Sequence, residues 1–187
     1  RPVVLDDNGA WEAILENAYD IIVTGEINGE DTLTFSIPFR DSKRGYIDNE
    51  KKIQIVDDIY KIRTITDVKD SSGSTITQVY AEAEFYDLTF SVRKEEKKFD
   101  AETADVAMAY ALADTEWSVG TVNVTSKRTW TSTEKNALSI LRSVANLHGG
   151  DLVFDCPNRL VHLLTVNGKD SGALFAYKKN MKSIERV

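Results

Sequence analysis

Residues 19–38 read YDIIVTGEINGEDTLTFSIP, two β-rich runs on either side of Asn28-Gly29. Both residues of that pair tolerate positive φ, so the segment is predicted to fold back as an antiparallel hairpin. Leu33, Phe35 and Ile37 alternate with Thr34 and Ser36, which gives the second run one buried and one wet face. The design repeats in KKIQIVDDIYKIRTITDV, residues 51–68, with Ile53 and Ile55 before a turn at Asp57-Asp58 and Tyr60 and Ile62 after it. Ser71-Ser72-Gly73 marks the next turn, and ITQVYAEAEFYDLTF, residues 76–90, reads as a further strand. Short strands with a turn about every dozen residues point to a small antiparallel barrel or sandwich.

The period then changes. SVRKEEKKFD, residues 91–100, alternates charges of both signs with little apolar content and reads as a solvated linker. Residues 102–113 are Ala-rich and predicted helical, with Val106, Met108, Tyr110 and Leu112 available for packing. The strongest helical signal lies in TWTSTEKNALSILRSVANLHGG, residues 129–150. Thr131 and Glu134 have capping-box spacing, Leu138, Leu141, Val144 and Ala145 form an apolar stripe, and Gly149-Gly150 stops it. DLVFD and RLVHLLTV then form a hairpin across Cys156-Pro157-Asn158, and ALFAY begins another strand. The fold class is α+β: antiparallel β first, α+β second.

Bulk composition narrows the function classes. A chain of 187 residues with 42% hydrophobic and 28% charged residues has the balance of a globular protein with a real core. Its formal charge of −7 disfavours a dedicated binder of nucleic acid or anionic membrane, which needs a clustered basic surface. No apolar run approaches the roughly 18 residues needed to span a bilayer. Cys156 is the only cysteine, so no intrachain disulfide forms, in keeping with folding in a reducing cytoplasm. The chain starts at Arg1, without an apolar signal core, and stops abruptly after KSIERV, so a piece of a longer protein is expected.

Motifs for chemistry are sparse. His148 and His162 lie outside any metal-ligand spacing, so no metal is expected at either, and no phosphate loop, dinucleotide fingerprint or nucleophile elbow occurs. The acids of VYAEAEFYDL, residues 79–88, are the remaining candidates: Glu82, Glu84 and Asp87. On a strand, Glu82 and Glu84 share one face with Tyr80 and Tyr86, roughly 6–7 Å apart, while Val79, Ala81, Ala83 and Phe85 share the other. That spacing suits a glycosidase pair, but such a pair must flank the scissile bond, and neighbours on one strand approach from one side. An acidic outer face needs nothing beyond alternation. Trp11, Trp117 and Trp130 are able to stack on sugars, yet form no stripe, and isolated tryptophans are more often core or subunit-interface anchors.

Several segments together resemble one family. Asn17-Ala18, then Asn28-Gly29, then Leu33, Phe35 and Pro38 follow the opening pattern of the prophage tail, or prophage endopeptidase tail, family. Ile62, the segment AEAEFYDL, Asp114–Trp117 (DTEW) and Asn180 within AYKKNMKSIER continue the pattern in order over nearly the whole chain. Position 84, often His in that family, is Glu here. The resemblance implies a hub fold similar to contractile-phage baseplate hubs: a barrel over 1–92, an α+β domain over 93–173, and the start of a second barrel over 174–187. It further implies a structural, non-enzymatic component of a phage or prophage tail tip, assembled in the bacterial cytoplasm. The hub would be a homotrimer docked on the distal tail protein ring, touching the tape measure protein, with DNA passing through its lumen. Any lytic activity of such tail-associated lysins would sit in C-terminal domains absent from these residues, and no cofactor is implied. Glu82, Glu84 and Asp87 become candidates for a lumen or subunit contact. The competing readings are a peptidoglycan-degrading tail hydrolase using those acids, and a cell-wall carbohydrate-binding module using the tryptophans.

Overall fold

A computed structural model describes residues 1–56, 58–69 and 73–166. Seven strands come first: β1 (Val3–Leu5), β2 (Trp11–Ile14), β3 (Tyr19–Gly25), β4 (Asp31–Pro38), β5 (Lys52–Ile55), β6 (Asp58–Lys69) and β7 (Thr75–Ala83). They form one antiparallel sheet in the order β2-β1-β5-β6-β7-β4-β3, curled into a half-barrel. Its two edges, β2 and β3, are consecutive in sequence. Five residue steps separate Ile14 from Tyr19, so those strand ends lie within about 18 Å of one another. Leu33, Phe35 and Ile37 of β4 are buried as the alternation requires, and so are Val79, Ala81 and Ala83 of β7 and Ile53, Tyr60 and Ile62, but the opposite face of β4 is not wet, since Ser36 and Thr32 are buried too.

The hairpin at Asn28-Gly29 is present, with a longer loop than a two-residue turn. β3 and β4 pair up to Gly25↔Asp31, and residues 26–30 connect them. Only Asn28 takes positive φ (60°). Gly29 is needed for space, because a Cβ there would sit 2.6–2.7 Å from Glu26 atoms. The Asp57-Asp58 turn shifts as well: Ile55 pairs with Asp58, which already belongs to β6, and residue 57 lies outside the described residues. So do residues 71 and 72 of the next predicted turn.

The second half holds β8 (Val92–Arg93), β9 (Lys97–Thr103), helix α1 (Ala104–Leu112), β10 (Ser118–Val122), β11 (Lys127–Ser132), β12 (Lys135–Asn136), helix α2 (Ala137–His148), β13 (Asp151–Asp155) and β14 (Leu160–Leu164). β9 pairs with β11, β8 with β12, and β14 lies between antiparallel β13 and parallel β10. The stretch 91–100 is therefore a solvated connection only over 94–96, and its flanks are paired strands. Phe99 is buried beneath Trp130, with ring centroids 4.6 Å apart, whereas Lys94, Glu95 and Glu96 lie in an exposed connection between β8 and β9, and Lys97, Lys98 and Asp100 stay exposed on β9.

Both predicted helices form. Ala104, Ala107, Met108, Ala111 and Leu112 bury one stripe of α1, small enough for α2 to pack closely, whereas Val106 faces out. The expected stripe of α2 is buried throughout, and Gly149 (φ 82°) ends it by donating to Ala145 O. The capping box is a correction. Thr131 lies within β11, and Glu134 precedes the helix at φ 45°. The cap is Asn136, whose side chain accepts from Ser139 N at 2.8 Å. DLVFD and the following strand form the expected hairpin, with Asp155 taking two hydrogen bonds from Asn158 in the turn. ALFAY and all of 174–187 lie outside the described residues.

One buried core runs through both halves. At the junction Phe85 stacks on Phe154 with centroids 4.0 Å apart, a contact of about 1 kcal/mol beyond the area it buries. The tip of the β3–β4 hairpin adds a polar clasp. Asn28 Oδ1 accepts from Leu152 N at 2.6 Å, its Nδ2 donates to Gly150 O at 3.1 Å, and Arg142 donates to Gly29 O at 2.8 Å.

Candidate functional site

β7 stops at Ala83, and residues Glu84–Phe90 form a 3-10 turn instead of a continued strand. This overturns the single acidic face expected for VYAEAEFYDL. Glu82 stays on the outer side of β7, half-buried beside Tyr80, whose hydroxyl donates to it at 3.0 Å. Glu84 instead swings inward and is only 4% exposed. Lys52 of β5 reaches it at 2.7 Å, and Arg159 from the β13–β14 turn at 3.5 Å. Glu84 therefore ties the two halves of the chain together.

Asp87 sits one helical step further on. Lys61 of β6 donates to it at 2.7 Å, and Arg63 pairs with its other oxygen. Arg63 also reaches Glu50 at 2.9 Å and Glu82 at 3.4 Å. The reach of Arg63 comes from a β-bulge. Ile62 pairs with Ala81 and Thr64 with the adjacent Tyr80, so Arg63 is an extra residue looped out of the ladder. Burial pushes the Asp87 carboxyl up, but hydrogen bonds and charge from Lys61 and Arg63 outweigh it, and its pKa falls below the usual range. A general acid needs the opposite arrangement, a carboxyl kept protonated near neutral pH. Each of the three acids is instead held by a cation, Glu84 by Lys52 and Arg159, Asp87 by Lys61, and Glu82 by the Arg63 it shares with Asp87, which suits a counter-ion.

This network lines one wall of a cleft of about 780 Å³ at the junction, with Lys61, Asp87 and Glu50 on the sheet side. Trp117, Arg159, Asp114 and Glu116 form the facing side. The Arg159 guanidinium lies over the Trp117 ring, 5.2 Å from its centre. The cations were not legible as partners of these acids, since Lys52 and Arg159 reach Glu84 from 32 and 75 positions away. Cys156 lies close by, and burial first, then the Glu84 charge, pushes its thiol up to about 11. A thiol so raised is a poor nucleophile at neutral pH.

The other candidates are placed apart. His162 accepts from Thr121 N at 2.8 Å and lies against Gly120, where a Cβ would come within 2.6 Å of its ring. His148 is buried at the end of α2, with Nδ1 donating to Ser126 O at 3.0 Å. No group of three His, Cys, Asp or Glu side chains able to hold a metal ion occurs among the described residues, nor any helix long and apolar enough to cross a membrane. The tryptophans do not converge. Trp117 is buried, Trp130 stacks on Phe99, and Trp11 is 69% exposed with its N–H donating to Gln54.

Residues 2–83 match the prophage endopeptidase tail N-terminal domain, and residues 91–163 match the prophage endopeptidase tail domain. Comparison with curated proteins gives no match. Among solved structures the chain is similar to prophage tail protein gp18 of Listeria monocytogenes EGD-e, with TM-score 0.76 and 13% identity over 97% of this chain and 56% of that one. It is also similar to a tail protein of Neisseria meningitidis MC58, with TM-score 0.61 and 14% identity over 92% of this chain and 52% of that one. A 43 kDa tail protein of prophage MuSo2 from Shewanella oneidensis gives TM-score 0.61 and 14% identity over 91% of this chain and 57% of that one. The chain thus spans little more than half the length of the tail proteins whose fold it shares.

Proposed function

Because the chain belongs to the prophage endopeptidase tail family and is a phage tail component, we propose that it is a hub element of the tail tip. In this reading the full-length protein trimerises and docks on the distal tail protein ring at the end of the tail tube. It meets the tape measure protein there, and DNA passes through its lumen without specific binding. The virion tail tip is its site of action and the bacterial cytoplasm its site of assembly. The domain division, a barrel over 1–92, an α+β unit over 93–173 and a second barrel opening at 174–187, belongs to the same proposal.

The observation that carries a structural role is the state of the acids. Glu82, Glu84 and Asp87 are matched by Tyr80, Lys52, Arg159, Lys61 and Arg63, a pattern that stiffens the junction between the two halves. Glu82, Glu84 and Asp87 remain the candidates for a lumen or subunit contact in this reading, with Glu82 and Asp87 half-buried and Glu84 buried.

Electron microscopy of the full-length protein mixed with its distal tail protein tests the reading. A three-fold ring capping a six-fold ring is expected, and failure of the intact protein to assemble would refute it. A peptidoglycan zymogram of this chain beside Asp87→Asn and Glu82→Gln variants addresses the hydrolase reading. A clearing zone lost in either variant would replace the structural role with a catalytic one.

A further inference from the structure

The outermost strand of the half-barrel, β3, is unusual in being wet on both faces. Tyr19 is 39% exposed, Ile22 58% and Val23 48%, and only Ile21 is half-buried. The core has ended before it. Edge strands that take no partner are commonly blunted by lysine or proline, and YDIIVTG contains neither. Its one irregularity, the bulge at Asp20 (φ 50°), lies near the start and leaves Ile22–Gly25 as a regular ladder on β4. Among the described residues no strand pairs with the other backbone edge of β3. The hairpin tip is clasped by Gly150 and Leu152, so the edge is presented on a fixed support.

Charge decides what fits there. Residues 1–30 contain seven Asp or Glu and the single Arg1, a formal −6 of the chain's −7. Glu12 and Glu16 are matched by Lys51 and Lys43. Asp20, Glu26 and Glu30, which bracket β3, form no ion pair among the described residues. A second copy laid edge to edge would bring like charges together. An unpaired strand edge accepts only extended backbone, and this one is apolar along its middle and negative at its ends.

We infer that the open edge of β3 is a docking edge for an extended, apolar strand bearing lysine or arginine, contributed by another protein. The occupant adds an eighth strand, its apolar side chains beside Ile22 and Val23 and its cations near Asp20 and Glu26. This surface does not depend on the position of the chain within the tail.

Hydrogen–deuterium exchange of the chain with synthetic octapeptides tests it. An alternating Lys–Val peptide is expected to slow exchange at residues 22–25 at least tenfold, an effect largely lost in 0.5 M salt. An alternating Glu–Val peptide, and the Lys–Val peptide interrupted by a central proline, should leave those amides unchanged. The double variant Asp20→Lys, Glu26→Lys, altered only at exposed positions, should reverse the preference to Glu–Val. Equal protection by both charges, no protection by either, or protection confined to other segments would overturn the inference. So would protection of β3 that rises with chain concentration alongside a dimer in sedimentation, since the occupant would then be a second copy.

Discussion

Asn28→Gly separates two roles that the wild-type residue combines. As a turn residue Asn28 supplies positive φ, which glycine supplies more easily. As a clasp it makes two hydrogen bonds to the backbone of Gly150 and Leu152, more than 120 positions away. Each contributes about 1 kcal/mol net, and more where the abandoned backbone group stays shielded from water. Asn28→Gly is therefore expected to destabilise the chain by about 2 kcal/mol. Asn28→Ala keeps the same loss and adds about 1 kcal/mol for a Cβ in the left-handed region. In a chain of this length about 2 kcal/mol lowers Tm by roughly 4–8 °C. Thermal melts followed by circular dichroism, with urea titrations alongside, measure both variants. A further Arg142→Ala substitution should show coupling above about 0.5 kcal/mol with Asn28→Gly, because both side chains hold the same hairpin tip. If Asn28→Gly falls within about 0.5 kcal/mol of the parent, the Asn28 clasp contributes nothing and the junction rests on its other contacts, the Phe85–Phe154 stack and the Glu84 ion pairs among them.

Asp87 has a folded-state pKa below its unfolded value, so the stability it contributes is present above the unfolded carboxylate pKa and is lost as pH falls through the folded one. Urea midpoints from pH 7 down to pH 3 should therefore drop less steeply in Asp87→Asn than in the parent, and parallel curves would contradict the ion-pair assignment. Cys156, with its thiol raised from 9.0 to about 11, should react with iodoacetamide at pH 8 about 100-fold more slowly than in urea-unfolded chain, on thiolate fraction alone. Equal rates, read by mass spectrometry, would show that the thiol is neither buried nor raised. Asn136→Ala should cost about 1 kcal/mol through loss of the α2 cap, whereas Thr131→Ala and Glu134→Ala should stay within about 0.5 kcal/mol; denaturant titration of the three variants ranks them.

Local signals carried the outline of the fold. Alternation placed Leu33, Phe35, Ile37, Val79, Ala81 and Ala83 on the inner face, and the 3.6 period placed Leu138, Leu141, Val144 and Ala145 in the core. The failures occur where distant residues override a local pattern. The alternation of VYAEAEFYDL continues past Ala83, but the backbone turns there, because Glu84 is drawn inward by cations from β5 and the β13–β14 turn. Residues 91–100 have the composition of a linker, yet 97–100 belong to strand β9 because β11 pairs with them and Trp130 covers Phe99. Thr131 and Glu134 have capping spacing, yet pairing in β11 holds Thr131 extended and leaves Asn136 to start the helix. The candidate acids were thus legible as residues. Their partners were not, since no periodicity encodes a contact made across 26 or 75 positions.

The looped-out position of Arg63 has an evolutionary corollary. Ile62 and Thr64 occupy the inner and outer sides that a regular strand would give to two successive residues. The ladder is therefore in phase on both sides of the interruption, and Arg63 is surplus to it. Loss of its codon would close the strand into even pairing without turning a single core residue outward. Deletion of Ile62 would instead put Arg63 in its place against the core. A family built on this sheet is free to acquire or discard the guanidinium that joins Glu50, Glu82 and Asp87 by a one-codon length change, a route of variation that point substitution of the packed residues does not offer.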